Sequence, residues 1–166
     1  MPTYRADLSV SSLDELLRNV KSYQAKVNAA PERIVSELAR IATNSISETI
    51  SGITDSDGNA TGSVGSNISG NTAMVFNEGD QVGYIEFGTG VTGAAEPHPQ
   101  ARKSGWSYDK GSKIFTTKSG KRMWRYYDTL KGHWRITSGL PAQKQVYKAA
   151  LKMRDNIVQV AKEALK

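Results

Sequence analysis

Apolar residues recur at helical spacing near both ends of the chain and alternate only in its middle. Leu16, Val20, Tyr23 and Val27 form one stripe, and the spacing predicts a helix over 12–28. Ser12-Leu13-Asp14-Glu15 fits a capping box at its start, with Val10 and Leu16 placed for a hydrophobic staple. Ala29-Ala30-Pro31 interrupts the stripe, and proline suits the first position of a new helix. Ile34, Leu38, Ile41, Ala42, Ile46 and Ile50 line one side of that second helix, over 31–51, with Glu32, Glu37, Arg40 and Glu48 on the other. At the far end, Pro141 opens a helix whose stripe is Val146, Ala150, Met153, Ile157, Val160 and Ala164.

Between these helices the pattern changes. Residues 1–10 carry no pattern and are expected to be disordered, and 55–72 reads as a long loop rich in Gly, Ser, Asn and Asp, with at most a weak edge strand around Val64 and Ile68. Ala73-Met74-Val75-Phe76 reads as a strand. Gln81–Phe87 reads either as a strand or as one helical turn. Residues 94–122 read as a second long, irregular loop, because Pro97 and Pro99 exclude regular pairing. Ile114–Thr117 and Arg122–Tyr127 predict a hairpin, with Trp134–Thr137 beside it as a third strand. The expected fold is therefore one α+β domain over 1–166: N-terminal helices, a small antiparallel sheet with a long irregular loop, and a long amphipathic C-terminal helix packed on the sheet.

Composition narrows the setting. A chain of 166 residues is long enough for one core, and it has no cysteine for disulfide or thiolate chemistry. No stretch approaches the roughly 20 apolar residues of a membrane span. The net charge is +6, unevenly placed: residues 101–135 hold ten Lys or Arg against Asp109 and Asp128, a local balance of +8. All three tryptophans, Trp106, Trp124 and Trp134, lie in that stretch.

Four candidate chemistries fail on their own terms. Gly88-Thr89-Gly90-Val91-Thr92-Gly93 has the spelling of a dinucleotide turn, but such a turn opens a helix within a βαβ unit, and here Pro97 and Pro99 follow closely. Asp55-Ser56-Asp57-Gly58-Asn59 begins like a calcium loop, yet Ala60 and Ser66 stand where the glycine and the bidentate glutamate belong. His98 and His133 are the only histidines, 35 residues apart, and make no metal-ligand spacing. No serine sits in a G-x-S-x-G elbow. The reading is of a chain without catalytic, metal or cofactor residues.

The basic aromatic stretch leaves three readings open. Trp106, Tyr108, Trp124, Tyr126 and Trp134 interleave with Lys103, Lys110, Lys113, Arg122, Arg125 and Lys131. Rings and cations in that mixture suit single-stranded nucleic acid. They also suit a protein interface, for which Trp106, Trp124, Arg125, Tyr126 and Trp134 are the candidate anchors. The plainest alternative has Trp124 and Tyr126 packing inward from a strand while Arg125 and Tyr127 face out.

The order of several segments adds a resemblance. Tyr84-Ile85-Glu86-Phe87-Gly88-Thr89-Gly90 is followed by His98-Pro99, Gly105-Trp106, Trp124-x-Tyr126, Gly139-Leu140-Pro141-Ala142 and Tyr147-x-Ala149. Over roughly residues 30–166 this series resembles the neck and tail-completion (head–tail joining, minor tail component) proteins of tailed bacteriophages and prophages. The resemblance implies a non-enzymatic virion protein, assembled in the host cytoplasm as a homo-oligomeric ring. Its implied partners are neighbouring neck and tail-tube proteins, with DNA passing through the ring unread. Glu86, Phe87, Gly88, Thr89, Gly90, Gly139, Pro141 and Ala142 would be the motif residues, with Glu86 bonding backbone N–H groups of the Gly88-Thr89-Gly90 turn. A small basic nucleic-acid-binding module using 101–135 is the alternative.

Overall fold

A computed structural model describes residues 3–5, 7, 9–53, 62–108, 114–129 and 131–166. The calcium-like stretch Asp55–Asn59, and Asp109, Lys110 and Lys113, lie outside the described residues. The chain is α+β. Its elements are α1 (Val10–Ile50), β1 (Ser63–Ser69), β2 (Thr72–Glu78), α2 (Val82–Phe87), α3 (Gly90–Ala95), β3 (Phe115–Thr116), β4 (Arg122–Asp128), β5 (His133–Thr137) and α4 (Gln145–Ala164).

The two expected N-terminal helices are one. Helix α1 runs unbroken for 41 residues, about 60 Å, with Pro31 inside it. Proline there removes the bond to the Val27 carbonyl and costs about 3 kcal/mol in a free helix. Two side-chain contacts on either side of Pro31 hold the axis: Lys26 Nζ donates to the Lys166 carbonyl (2.9 Å) and Arg33 Nη1 to the Ala164 carbonyl (3.1 Å). The Ala164 acceptor is an end carbonyl of α4 without a partner in its own helix, and Lys166 lies two residues past that end. Both cations therefore anchor the end of one helix while splinting another.

The start of α1 also differs from the expected Ser12–Glu15 box. Ser9 is the N-cap: its hydroxyl accepts the Ser12 N–H at 3.3 Å, and the Ser12 hydroxyl accepts the Asp7 N–H at 3.0 Å. Val10 lies within the helix at 76% exposure, so it staples nothing. The Ser9 hydroxyl, then the Ser9 N–H, hold the Asp7 carboxyl below its ordinary range. A depressed folded-state value means that this contribution is present at neutral pH and is lost as pH falls through that value.

Helix α4 returns antiparallel along the second half of α1. Ala42 and Ile46 of α1 and Ala149 of α4 form the centre of the core, with Ile50, Met153, Val64 and Val75 packed around them. Val64 and Val75 belong to the β1–β2 hairpin, so one cluster joins both helices to the sheet. The buried positions of α4 are Gln145, Ala149, Val160 and Ala164, with Met153 half-buried between them. The expected stripe is right at Met153, Val160 and Ala164. Val146, Ala150 and Ile157 face solvent instead, because α1 meets α4 along its alanine side.

Residues 63–69, expected within a loop, form a full strand paired in register from Ser63↔Glu78 to Ser69↔Thr72. Gly70-Asn71 is the two-residue turn between β1 and β2. The Phe76 ring lies across Gly65, giving this polar strand a cross-strand contact that its own side chains do not supply. A second, separate antiparallel sheet has the order β3-β4-β5. Its hairpin and third strand stand where the alternation placed them, so the expected loop over 94–122 is broken at Phe115–Thr116 by β3. Among the described residues no helix is long and apolar enough to cross a membrane.

The α1–α4 contact rests on small side chains, so it tolerates little added volume. Ala149→Leu is expected to lower stability by about 1–3 kcal/mol, read as a shifted urea midpoint with unchanged slope. An unchanged midpoint would mean that the two helices do not meet at that alanine.

Candidate functional site

Helix α2 is six residues long and ends at Gly88, whose N–H bonds the Tyr84 carbonyl at 2.8 Å. A helix so short leaves its last carbonyls without internal partners. The irregular segment 138–144, which leads into α4, supplies them. Gln143 N–H donates to the Ile85 carbonyl (2.8 Å) and Lys144 N–H to the Glu86 carbonyl (3.1 Å). The Trp106 indole N–H takes the Gly88 carbonyl at 3.1 Å.

Helix α4 has the converse need. Its N-cap residue is Lys144, left-handed at φ 58°, with no capping side-chain bond and no acid in the first turn. Glu86 fills that place from α2. Glu86 Oε2 accepts the Val146 N–H (2.8 Å) and Oε1 accepts the Tyr147 N–H (3.1 Å). A carboxylate at a helix N-terminus is favoured both by the free N–H groups and by the helix dipole. Glu86 thus does bond backbone N–H groups, but those of α4 rather than those of the Gly88-Thr89-Gly90 turn.

His98 completes the carboxylate's shell. Its Nε2 lies 2.9 Å from Glu86 Oε1, and its Nδ1 accepts the Gln100 N–H at 3.0 Å. An accepting Nδ1 leaves the proton on Nε2, so the hydrogen bonds assign the neutral tautomer donating to Glu86. Both side chains are withdrawn from water, the residues being 7% and 5% exposed. The His98 ring sits between the edges of Phe87 (4.6 Å between centroids) and Tyr147 (5.3 Å). Phe87 in turn stacks on Trp106 at 5.1 Å, and the Tyr108 hydroxyl accepts the His98 N–H at 2.8 Å.

The turn itself is held by segment 138–144. Thr89 N–H bonds the Leu140 carbonyl (2.8 Å), and Leu140 N–H returns to Thr89 Oγ1 (3.0 Å). Thr92 gives both N–H and Oγ1 to the Ser138 carbonyl, at 2.9 and 3.0 Å. Backbones this close exclude side chains. A Cβ on Gly88 would stand 2.6 Å from the Ala142 nitrogen, and one on Gly139, at φ 94°, would overlap the Thr89 carbonyl. The Trp124 indole covers Gly90 in the same way.

The motif residues Glu86, Phe87, Gly88, Thr89, Gly90, Gly139, Pro141 and Ala142 therefore meet in one place. The five candidate interface residues do not. Trp106 is spent inside the site. Trp124 and Tyr126 lie on the inner face of β4, 5.6 Å apart. Arg125 and Trp134 lie on the outer face with Tyr127 and Ile136, where Tyr127 and Trp134 pair edge to face at 5.6 Å and Trp134 is 67% exposed. Arg125 also lies over the Phe115 ring at 5.3 Å.

Sequence reasoning missed His98 as a partner of Glu86, and Gln145. The Gln145 side chain is fully buried, and both its polar atoms are unpartnered among the described residues, as is the Trp124 indole nitrogen. No pattern pointed to Gln145, which precedes the apolar stripe. The His98-Pro99 pair was visible, but its distance from Glu86 was not.

Chemically, the arrangement is a clamp. Three donors converge on the Glu86 carboxylate, and both His98 nitrogens are engaged. Among the described residues no group of three His, Asp or Glu side chains can hold a metal ion. The short α3 opens at Gly90 as a dinucleotide turn would require, but a helix rather than a strand precedes it. No known protein family, curated protein or solved structure matches the chain.

Glu86→Gln keeps the shape but gives one acceptor oxygen for three donors, so it is expected to cost about 2–3 kcal/mol in urea unfolding. Glu96→Gln, on the surface, is the control and should change nothing measurable. Gly139→Ala combines a left-handed backbone with a backbone collision. It is expected to cost at least about 2 kcal/mol, read by thermal melting. A neutral Gly139→Ala variant would show that segment 138–144 does not lie on the Thr89 turn.

Proposed function

We propose that this chain is a virion structural subunit of a phage or prophage, assembling as a ring in the neck or at the top of the tail tube. The observation that carries the assembly reading is the thinness of the subunit's own core. Among the described residues nine hydrophobics are buried, and six of them are alanine. Eighteen larger hydrophobics are exposed.

The motif series supports the neck reading in particular, because its scattered members form one clamp that shapes the subunit. In that role Glu86 and His98 hold α2 and α4 together, and the work is done by outer faces. The exposed Tyr127, Trp134 and Ile136 with Arg125 would meet a neighbouring subunit or the next ring, as interface anchors do. Arg102, Lys103, Lys118, Lys121, Arg122 and Lys131 are exposed as well, which suits an acidic partner. DNA would pass through the ring without being read, and the protein would act in the virion without catalysis.

A second reading is a module for single-stranded nucleic acid, favoured by the same open Tyr127–Trp134 pair among cations. Light scattering after size exclusion and negative-stain imaging, alone and with neighbouring neck proteins, divide the two. The structural reading expects ring-sized species that weaken as salt rises and are lost in Trp134→Ala at unchanged melting temperature. A monomer under every condition would end it. Steeply salt-dependent binding of single-stranded DNA, lost in the same variant, would favour the module.

A further inference from the structure

Among the described residues, 10–25 at the start of α1 bond to no other helix or strand. Helix α4 ends beside Arg33 and the residues after it reach Lys26, so α1 continues past both for 16 residues. Along this arm Val10, Leu13, Leu17, Val20 and Val27 are all exposed. Their spacings of 3, 4, 3 and 7 are those of a and d positions in a heptad, with Gln24 at the intervening a. Leu16 and Tyr23 flank the seam on one side and are half-buried, Tyr23 against Tyr4 at 6.5 Å. Asp14 and Lys21 flank it on the other, at successive e positions, both exposed and without an ion-pair partner among the described residues. A solitary helix of this length is marginal in water, and an apolar seam makes it a candidate for cover.

We infer that the arm pairs antiparallel with the arm of a second copy of this chain. The register follows from the sequence. Setting Leu17 against Val20 of the second copy also sets Val10 against Val27 and Leu13 against Gln24, each layer an a facing a d. In that register the e positions flank each other, so Asp14 meets Lys21 of the second copy and Lys21 meets its Asp14. Both charge pairs form at once because the two-fold axis repeats the contact. A parallel pair loses this match: Asp14 would face Ser9 and Lys21 would face Leu16, while Gln24 would face itself. The overlap is about 18 residues, or about 27 Å, and is smaller than a standard interface, so the dimer depends on concentration. The contact stands apart from the ring reading, since an isologous pair closes at two copies whereas a ring joins unlike faces.

Sedimentation equilibrium at low salt, over a range of concentrations, tests it. Asp14→Lys and Lys21→Glu each turn two attractive pairs into repulsive ones and should weaken the dimer roughly tenfold. The double swap restores both pairs and should recover the dimer. Circular dichroism should show the same helix content in all four proteins, because both sites are on the surface. The absence of cysteine allows a second readout. Oxidising a mixture of Leu17→Cys and Val20→Cys chains should give chiefly the mixed disulfide dimer. A Leu17→Cys chain that crosslinks chiefly to itself would mean a parallel pair and overturn the inference. So would a monomer at every concentration, or a double swap that does not rescue. Micrographs without rings leave these readouts untouched.

Discussion

The fold turns on one carboxylate. Helix α4 arrives at its N-terminus with a left-handed Lys144, no capping side chain and no acid in its first turn. Its free N–H groups are closed by Glu86, which lies 60 positions earlier in the chain. Burying a carboxylate is costly unless its lone pairs are matched. Here two backbone N–H groups and the Nε2–H of His98 converge on it, filling three of its roughly four lone-pair sites. The exchange is reciprocal, since segment 138–144 gives its own N–H groups to the Ile85 and Glu86 carbonyls. Neither helix end is satisfied without the other, so α2, the Thr89 turn and α4 form one unit.

That unit compensates for a modest apolar core. Alanines let α1 and α4 approach closely, but each buries little area, and a core of this kind contributes less than one of leucine and phenylalanine. The polar clamp fixes where α4 begins. The Arg33 bond to its last carbonyl, and the Lys26 bond to Lys166 just beyond, hold its other end. With both ends pinned, the helix pair keeps its alignment despite the proline within α1. Many large apolar side chains remain on the outside among the described residues.

Much of this was legible in the sequence where a single local rule decides. The β3–β4 hairpin followed from alternation and a short turn. The third strand and the final helix followed from period. The inward Trp124 and Tyr126, opposite an outward Arg125 and Tyr127, match the plainest of three readings left open for that stretch, the one the period of two in a strand supplies. Rules that concern one segment failed where another segment intervenes. Pro31 reads as a boundary until Lys26 and Arg33 find acceptors at and just past the end of α4. Residues 63–69 read as loop because their pairing partner and the Phe76 ring are supplied by β2, although Gly70-Asn71 was a usable hairpin signal. The buried side of α4 is rotated from the expected stripe because alanine and glutamine fit against α1 better than valine and isoleucine do. Glu86 was singled out correctly for its chemistry and assigned the wrong donors, since nothing in its own neighbourhood encodes a helix start 60 residues away.

The clamp and the open sheet face are not independent. Trp124 lies over Gly90 on the inner side of β4, while Arg125 and Tyr127, the residues interleaved with it, form the outer side together with Trp134 and Ile136 of β5. Arg135 and Asp128 tie the two strands by an ion pair at 3.0 Å on the inner side. The position of the aromatic face is therefore set, through the pleat of one strand, by the glycine that lets an indole rest on the Thr89 turn. A larger residue at Gly90 would push Trp124 away, and the strand would carry Tyr127 with it. If that face meets a neighbour, as proposed, it must be placed to within about an ångström. Tying it to the most heavily hydrogen-bonded part of the molecule is a physical way to achieve that.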